Sequence, residues 1–335
     1  MVSMRIAALA AVILYTAAPA VADTVEDFYK GKRLTLYIGS GAGGGTDFYA
    51  RVVARHMGDH IPGKPSITPA NVPGANGLVV VNNLYNTYPR DGTAFATFLR
   101  HLALGAIAGN PQAKFDPTKL NWIGSTNIDV STCVTWHASR IKTMQDFVTK
   151  DVVVASSSPY QLNYLNNVLG AKIKPMFGYS GGDTISLAME RGEVDGRCHW
   201  SWSGVISSRP DWVRDKKINV IMQWSNEKHP DLPDAPLAKE LVRTEEQRQI
   251  LDLLQSGDMM ARPYAAPQDV PAERVEALRA AFLATLKDPA FLETAKKASL
   301  EVEPVSGEKI QAAVEQIARI PQEVLTKFRE QVMRE

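Results

Sequence analysis

The segment 39–47 (GSGAGGGTD) carries the clearest chemistry in the chain, because it follows an alternating apolar run and precedes residues at helical spacing. A strand that turns through glycines into a helix aims free backbone N–H groups and the positive end of the helix dipole at one spot. Such a turn binds anions. Gly39, Gly41 and Gly44 match the dinucleotide fingerprint, but that reading needs an acidic residue at the end of the second strand, and the strand expected at 66–72 ends in Pro73, Gly74, Ala75 and Asn76. A nucleotide P-loop needs a closing Lys-Ser/Thr pair, which the segment lacks. A turn made for packing alone is the plain alternative. A carboxylate-binding loop is the favoured one, and a second glycine-bearing turn at 73–77, after the next strand, would converge on the same end of the sheet.

Two signals point toward enzymes. Residues 178–182 (GYSGG) match the G-x-S-x-G nucleophile turn, so the alternative function is a secreted serine hydrolase or esterase using Ser180. It would need a later acid, Asp211 or Asp215, and a histidine, for which only His199 and His229 follow Ser180. Cys133, His137, Cys198 and His199 offer soft ligands without CxxC or HxxxH spacing, so neither a metal nor another cofactor is expected.

The elements that must position these residues alternate. Leu34, Leu36 and Ile38 read as a strand; Phe48, Val52, Val53 and His56 recur at helical spacing, with Thr46 or Asp47 placed to cap the first turn. Further strands are predicted near 66–72, 94–98, 133–136, 152–155, 194–198, 218–223 and 259–264, with helices between them. Pro271 opens a helix through Val275, Leu278, Phe282 and Leu286. Two more helices are predicted at 307–319 and 322–332. The alternation implies an α/β fold with largely parallel sheets, and 335 residues suit two domains.

Residues 1–22 combine a basic start at Arg5, an apolar stretch and the small-residue site Ala20-Val21-Ala22, the pattern of a cleavable secretory signal cut after Ala22. Arg5 is the one charged side chain among them, so the rest carries equal numbers of acidic and basic groups, out of 37 Lys plus Arg and 36 Asp plus Glu in the whole chain. Such a neutral chain lacks the basic excess that nucleic-acid binding requires. Export implies an oxidising compartment, in which Cys133 and Cys198 can pair.

Taken in order, residues 42–47 with Ala50 and Arg51, then 73–77 (PGANG), Asp91-Gly92, Tyr179 with Gly181-Gly182, 192–195 (GEVD), 232–236 (LPDAP) and Ala266-Pro267 resemble the motifs of the Bug family, the extracytoplasmic receptors of tripartite tricarboxylate transporters. The resemblance implies a periplasmic binding protein of the type II-like class, two α/β domains with a ligand cleft between them. The expected division is 23–130 for the first part of domain 1, 131–223 for domain 2, and 224–335 for the return to domain 1 and the C-terminal helices. The implied function is a monomeric periplasmic receptor, not an enzyme, which captures a small organic acid and delivers it to the membrane subunits of such a transporter. Carried onto this sequence, the ligand-binding positions are Gly43, Gly44, Thr46, Asp47 and Asn76, faced by Ser156, Ser157, Ser158 and Tyr179. Ser40 departs from the family, replacing a ring that would wall the pocket with a hydroxyl. Arg197, in the aromatic and cationic stretch 197–202 (RCHWSW), would set selectivity.

Overall fold

The alternation at 34–38 forms a strand in the computed structural model, which describes residues 24–128, 130–225 and 227–333. The leader expected at 1–22 lies outside the described residues. Strand β1 (Arg33–Ile38), β2 (Ser66–Asn71), β3 (Ala94–Thr97) and β4 (Asn121–Ser125) belong to one sheet. The chain then crosses to a second sheet of β5 (Ser131–Trp136), β6 (Val152–Ser156), β7 (Ile173–Met176), β8 (Gly196–Ser201) and β9 (Ile218–Trp224). It returns to the first with β10 (Pro263–Ala266) and β11 (Val305–Ser306). The strand orders are β11-β4-β10-β3-β1-β2 and β7-β6-β8-β5-β9.

The sheets are mixed rather than largely parallel. β1 pairs in parallel with β2 and β3, and β6 with β7 and β8, as helical crossovers require. β10 and β5 run antiparallel to all their partners. These two strands follow the two passages of the chain between the sheets. The strand predicted at 259–264 starts later, at Pro263, because residues Asp258–Met260 form a 3₁₀ turn. β4 and β11 were not predicted from the sequence.

The helix Gly45–Met57 buries Tyr49, Val52, Val53 and Met57 against β1 and the C-terminal helices, and leaves Phe48 exposed. Val52 and Val53 are buried as predicted, and the stripe continues through Tyr49 and Met57 instead of Phe48 and His56. The helix opened by Pro271, Ala272–Thr285, does bury Val275, Leu278 and Phe282 on one face, with Leu286 at its end. In the second sheet Ile185, Met189, Trp200, Trp202 and Trp212 form a core. Among the described residues no helix is long and apolar enough to cross a membrane.

Cys133 on β5 and Cys198 on the adjacent β8 are joined by a disulfide with Cα atoms 4.0 Å apart. The ladder is bulged there: Thr132 faces Trp200 while Val134 faces Arg197, so β8 accommodates one residue more than β5. His199 takes the extra place at φ 56° and swings out of the sheet toward Ser157. Closing a loop of sequence separation 65 constrains the unfolded chain by about 4 kcal/mol in the loop-entropy model. Replacing both cysteines with alanine is therefore expected to lower the melting temperature of oxidised protein by roughly 5–10 °C. Thermal denaturation checks this, and an unchanged midpoint would contradict it.

Candidate functional site

The first glycine turn begins where β1 ends, with Gly39 N–H donating to the carbonyl of Thr97 on β3. The helix that follows is capped by the backbone of Gly44, with no side-chain bond. Neither Thr46 nor Asp47 serves as the cap. Asp47, 3% exposed, turns its carboxylate back to accept the Gly43 N–H at 3.0 Å, Nε of Arg51 at 2.9 Å and Nδ2 of Asn71 at 2.8 Å. Asn71 closes β2 and also donates to the Ser40 carbonyl at 3.0 Å, which ties the turn to the neighbouring strand. Burial alone would raise the Asp47 carboxyl, but the hydrogen bonds from Arg51, Gly43 and Asn71 outweigh it and hold the group below its ordinary value.

The second turn follows β2. Residues 74–77 all have positive φ, including Ala75 at 43° and Asn76 at 53°. Two consecutive non-glycine residues in this region store strain that the flanking strand and helix must hold. The helix Leu78–Asn86 starts immediately afterward.

The opposing wall comes from the second sheet: the turn after β7, the helix Gly182–Glu190, and Arg197 and Trp200 on β8. The walls meet closely. A Cβ at Gly41 would lie 2.9 Å from the Ser180 carbonyl, and one at Gly43, whose φ is +88°, would lie 2.6 Å from Oδ2 of Asp183. A side chain at position 41 would push against the opposing backbone, whereas at position 43 the left-handed φ itself favours glycine.

Between the walls lies a cavity of about 550 Å³. Of the positions predicted from sequence, Ser40, Gly44, Thr46, Asn76, Ser157, Tyr179 and Arg197 line it. Gly43, Asp47, Ser156 and Ser158 do not. Gly43 faces Asp183, and Asp47 is consumed by its own hydrogen bonds. Ser156 Oγ donates to the Ser158 carbonyl at 2.7 Å, and Ser158 caps the short helix Pro159–Asn163. Three of these four therefore shape the walls from behind. Trp200 also reaches the cavity, whereas Trp202 is buried and donates its indole N–H to Asp231.

Arg197 is 8% exposed, with Nη1 bonded to the Gly182 carbonyl at 3.3 Å and its plane 4.2 Å from the Trp200 ring. Burial pushes this guanidinium down to about 9, against the pull of Asp183 and helped by the like charge of Arg209. Asp183 itself pairs with Arg209 at 2.9 Å. Sequence reasoning passed over Arg262, which lies between the crossing segment and the second sheet, bonded to Asn127 Oδ1 at 3.0 Å and Ser201 Oγ at 2.9 Å. No local pattern marks it, since it is an isolated charge ahead of a short strand.

Ser180 lines the cavity without a histidine partner. His199 Nδ1 lies 3.2 Å from Ser157 Oγ, with its ring against His101, and burial holds the His199 ring well below its usual value. His229 accepts the Asp231 N–H on Nδ1 and presents Nε2 to Glu301. Neither histidine stands as a base for Ser180. Among the described residues no three His, Cys, Asp or Glu side chains gather to hold a metal ion.

Two lobes facing each other across such a cleft define the fold of a periplasmic binding protein. No protein-family model matches the chain. The protein named "UPF0065 protein in gbd 5'region" from Cupriavidus necator is 26% identical over 316 residues, covering 88% of this chain and 86% of that protein. The periplasmic binding protein BugD superposes with a TM-score of 0.72 at 19% identity, over 90% of this chain and 98% of BugD. MatC of Rhodopseudomonas palustris, solved with bound malate, superposes at 0.66 with 20% identity, over 90% of this chain and 99% of MatC. These matches bear out the resemblance carried by the ordered motifs: along nearly all of its described length the chain is similar to Bug-family solute receptors.

The linkage of Asp47 to the turn has a measurable consequence. A depressed carboxyl contributes stability that is present above its unfolded value and is lost as pH falls through its folded value. Asp47→Asn is expected to cost about 1–3 kcal/mol at neutral pH, discounted because Arg51 is partly exposed. The gap between parent and variant should narrow on acidification, as the parent loses the same charge. A gap independent of pH in denaturant titrations would contradict the assignment.

Proposed function

We propose that the chain is a periplasmic receptor that captures a small organic acid in the cleft and hands it to the membrane subunits of a tripartite transporter. One observation carries the reading: two glycine-bearing turns, one opening a 13-residue helix, face a buried guanidinium across a cavity large enough for a small molecule. One ligand carboxylate sits against the amides of the first turn and of the 74–77 turn, with Ser40, Thr46 and Asn76 around it and Ser157, Tyr179 and Arg197 opposite. Gly43 and Asp47 fix the geometry of the first turn. Ser156 and Ser158 fix the opposing wall.

The residues 23–130 and 224–335 act as one domain and 131–223 as the other, so that closure about the two crossings seals the ligand from water. Cleavage after Ala22 releases the receptor, which works as a monomer. The bound malate of MatC supports the choice of an organic acid.

Backbone amides supply enough energy for this task. Micromolar affinity is about 8 kcal/mol, and four or five hydrogen bonds to a charged group, at roughly 1.5–3 kcal/mol each, exceed that before ordering costs are subtracted. The receptor catalyses nothing, and Ser180 serves as cleft wall through its backbone.

A thermal-shift screen of residues 23–335 against organic acids, aromatic acids and amino acids tests the proposal. A ligand at a hundred times its dissociation constant adds about 2.7 kcal/mol, or roughly 4–8 °C. Carboxylates are expected to give that shift. Silence from every carboxylate, together with ester hydrolysis abolished by Ser180→Ala, would overturn the reading in favour of a hydrolase.

A further inference from the structure

Arg197 and Trp200 both line the main cavity, and Cζ of the guanidinium lies 4.2 Å from the centre of the indole ring. They stand three residues apart on β8. Successive side chains of a strand point to opposite faces, so on a regular ladder residues three apart lie on opposite sides of the sheet. The register with β5 explains how the two come to share a face. Thr132 and Val134, two apart and therefore on one face of β5, pair with Trp200 and Arg197. One residue is surplus in β8, and Cys198 and His199 together stand against Cys133.

The disulfide sits in that surplus. Cys133 and Cys198 are fully buried on the side of the second sheet that carries Val152 and Val154, whereas Val134 and Trp200 pack on the other side with Ile185. The bulge has few other supports. β6 pairs with β8 only from Gly196 to Cys198, so beyond Cys198 the neighbouring strand is β5 alone. His199 holds a left-handed backbone at φ 56°, which costs energy for a residue with a side chain and persists only where its surroundings enforce it. The β5–β9 ladder shifts register at the same place, between Cys133 and Val134. β5 is thus irregular toward both neighbours at the residue that carries the bond.

We infer that the Cys133–Cys198 disulfide is a positioning device for the ligand wall: it locks the bulge that brings Arg197 and Trp200 to one face, and so sets how tightly the cleft holds an organic acid. The inference rests on the receptor reading above and adds two residues that do not themselves line the cavity. Without the bond, β8 can shed its surplus by returning position 199 to the ladder. Regular alternation then carries Trp200 to the far face while Arg197 stays, the indole no longer covers the guanidinium, and the His199 ring leaves Ser157.

The test compares residues 23–335 with two variants. One is Cys133→Ala with Cys198→Ala; the other, Phe291→Ala, opens a cavity in the core of the first sheet and lowers stability away from β8. Hydrogen–deuterium exchange of the ligand-free proteins reads the bulge: residues 196–202 are expected to exchange at least about tenfold faster, relative to β1, in the cysteine-free chain than in the parent or in Phe291→Ala. In calorimetry with the organic acids of the thermal-shift panel, the tightest binder should lose at least about tenfold in affinity in the cysteine-free chain and stay within about threefold in Phe291→Ala. Parent protein refolded and held under reductant gives the same comparison with both sulfurs in place. Adding His199→Gly to the cysteine-free chain should recover much of the loss, because glycine takes the left-handed backbone without strain and keeps the bulge. Affinity unchanged without the bond, an equal loss in Phe291→Ala, or no recovery with glycine would overturn the positioning role and leave the receptor reading intact. A parent that binds no acid of the panel would overturn the receptor reading, and unchanged exchange at 196–202 would by itself overturn the lock on the bulge.

Discussion

The buried carboxylate of Asp47 holds together three things that the cleft needs at once. It receives the amide of Gly43, which fixes the path of the first glycine turn; it binds Arg51 on its own helix; and it binds Asn71 at the end of the neighbouring strand. Because Asn71 also reaches the carbonyl of Ser40, the turn is clamped from both sides without any side chain intruding on the cavity. The helix first-turn amides are thereby left to face the cleft, with the positive end of the dipole behind them. An anion-binding turn built from glycine is floppy by composition, and this polar network is what makes it rigid.

The second requirement is that the two lobes approach closely. Gly41 and Gly43 meet Ser180 and Asp183 backbone and carboxylate with no room for a Cβ, so the small residues at 178–182 and at 41–45 answer each other across the cleft. The apparent nucleophile turn takes part in this contact through its serine, whose carbonyl stands against Gly41. The bulge at His199 makes a similar contribution from the second sheet, because it turns the ring toward Ser157 while Arg197 and Trp200 remain directed at the ligand space. The charged side chains that line the main cavity, Asp183 and Arg197, both come from the side opposite the glycine turns.

Much of this was legible in the sequence where the backbone itself decides. The glycine turn, the strand before it and the helix after it follow from residue types that tolerate few other conformations, and the cysteine pair follows from compartment and placement on strands. Side-chain roles were less legible. Asp47 looked like a cap or a ligand group, and only the proximity of Asn71, distant in sequence, turns it into a clamp. Phe48 and Tyr49 both fit an apolar helical stripe, and the choice between them depends on where the C-terminal helices pack. Arg262 carries no local signal, since its importance comes from strand β10 returning beside the crossing segment. The antiparallel strands were hidden for the same reason: nothing in their composition records that the chain has just changed sheets.

A crystal structure of residues 23–335 with an organic acid bound examines the central claim most directly. The account requires a ligand carboxylate within hydrogen-bonding distance of the amides in the two glycine turns, with Tyr179 and Arg197 on the opposite side of the ligand. A ligand lying outside the cleft, or one held in it with the glycine-turn amides left to solvent, would contradict the account.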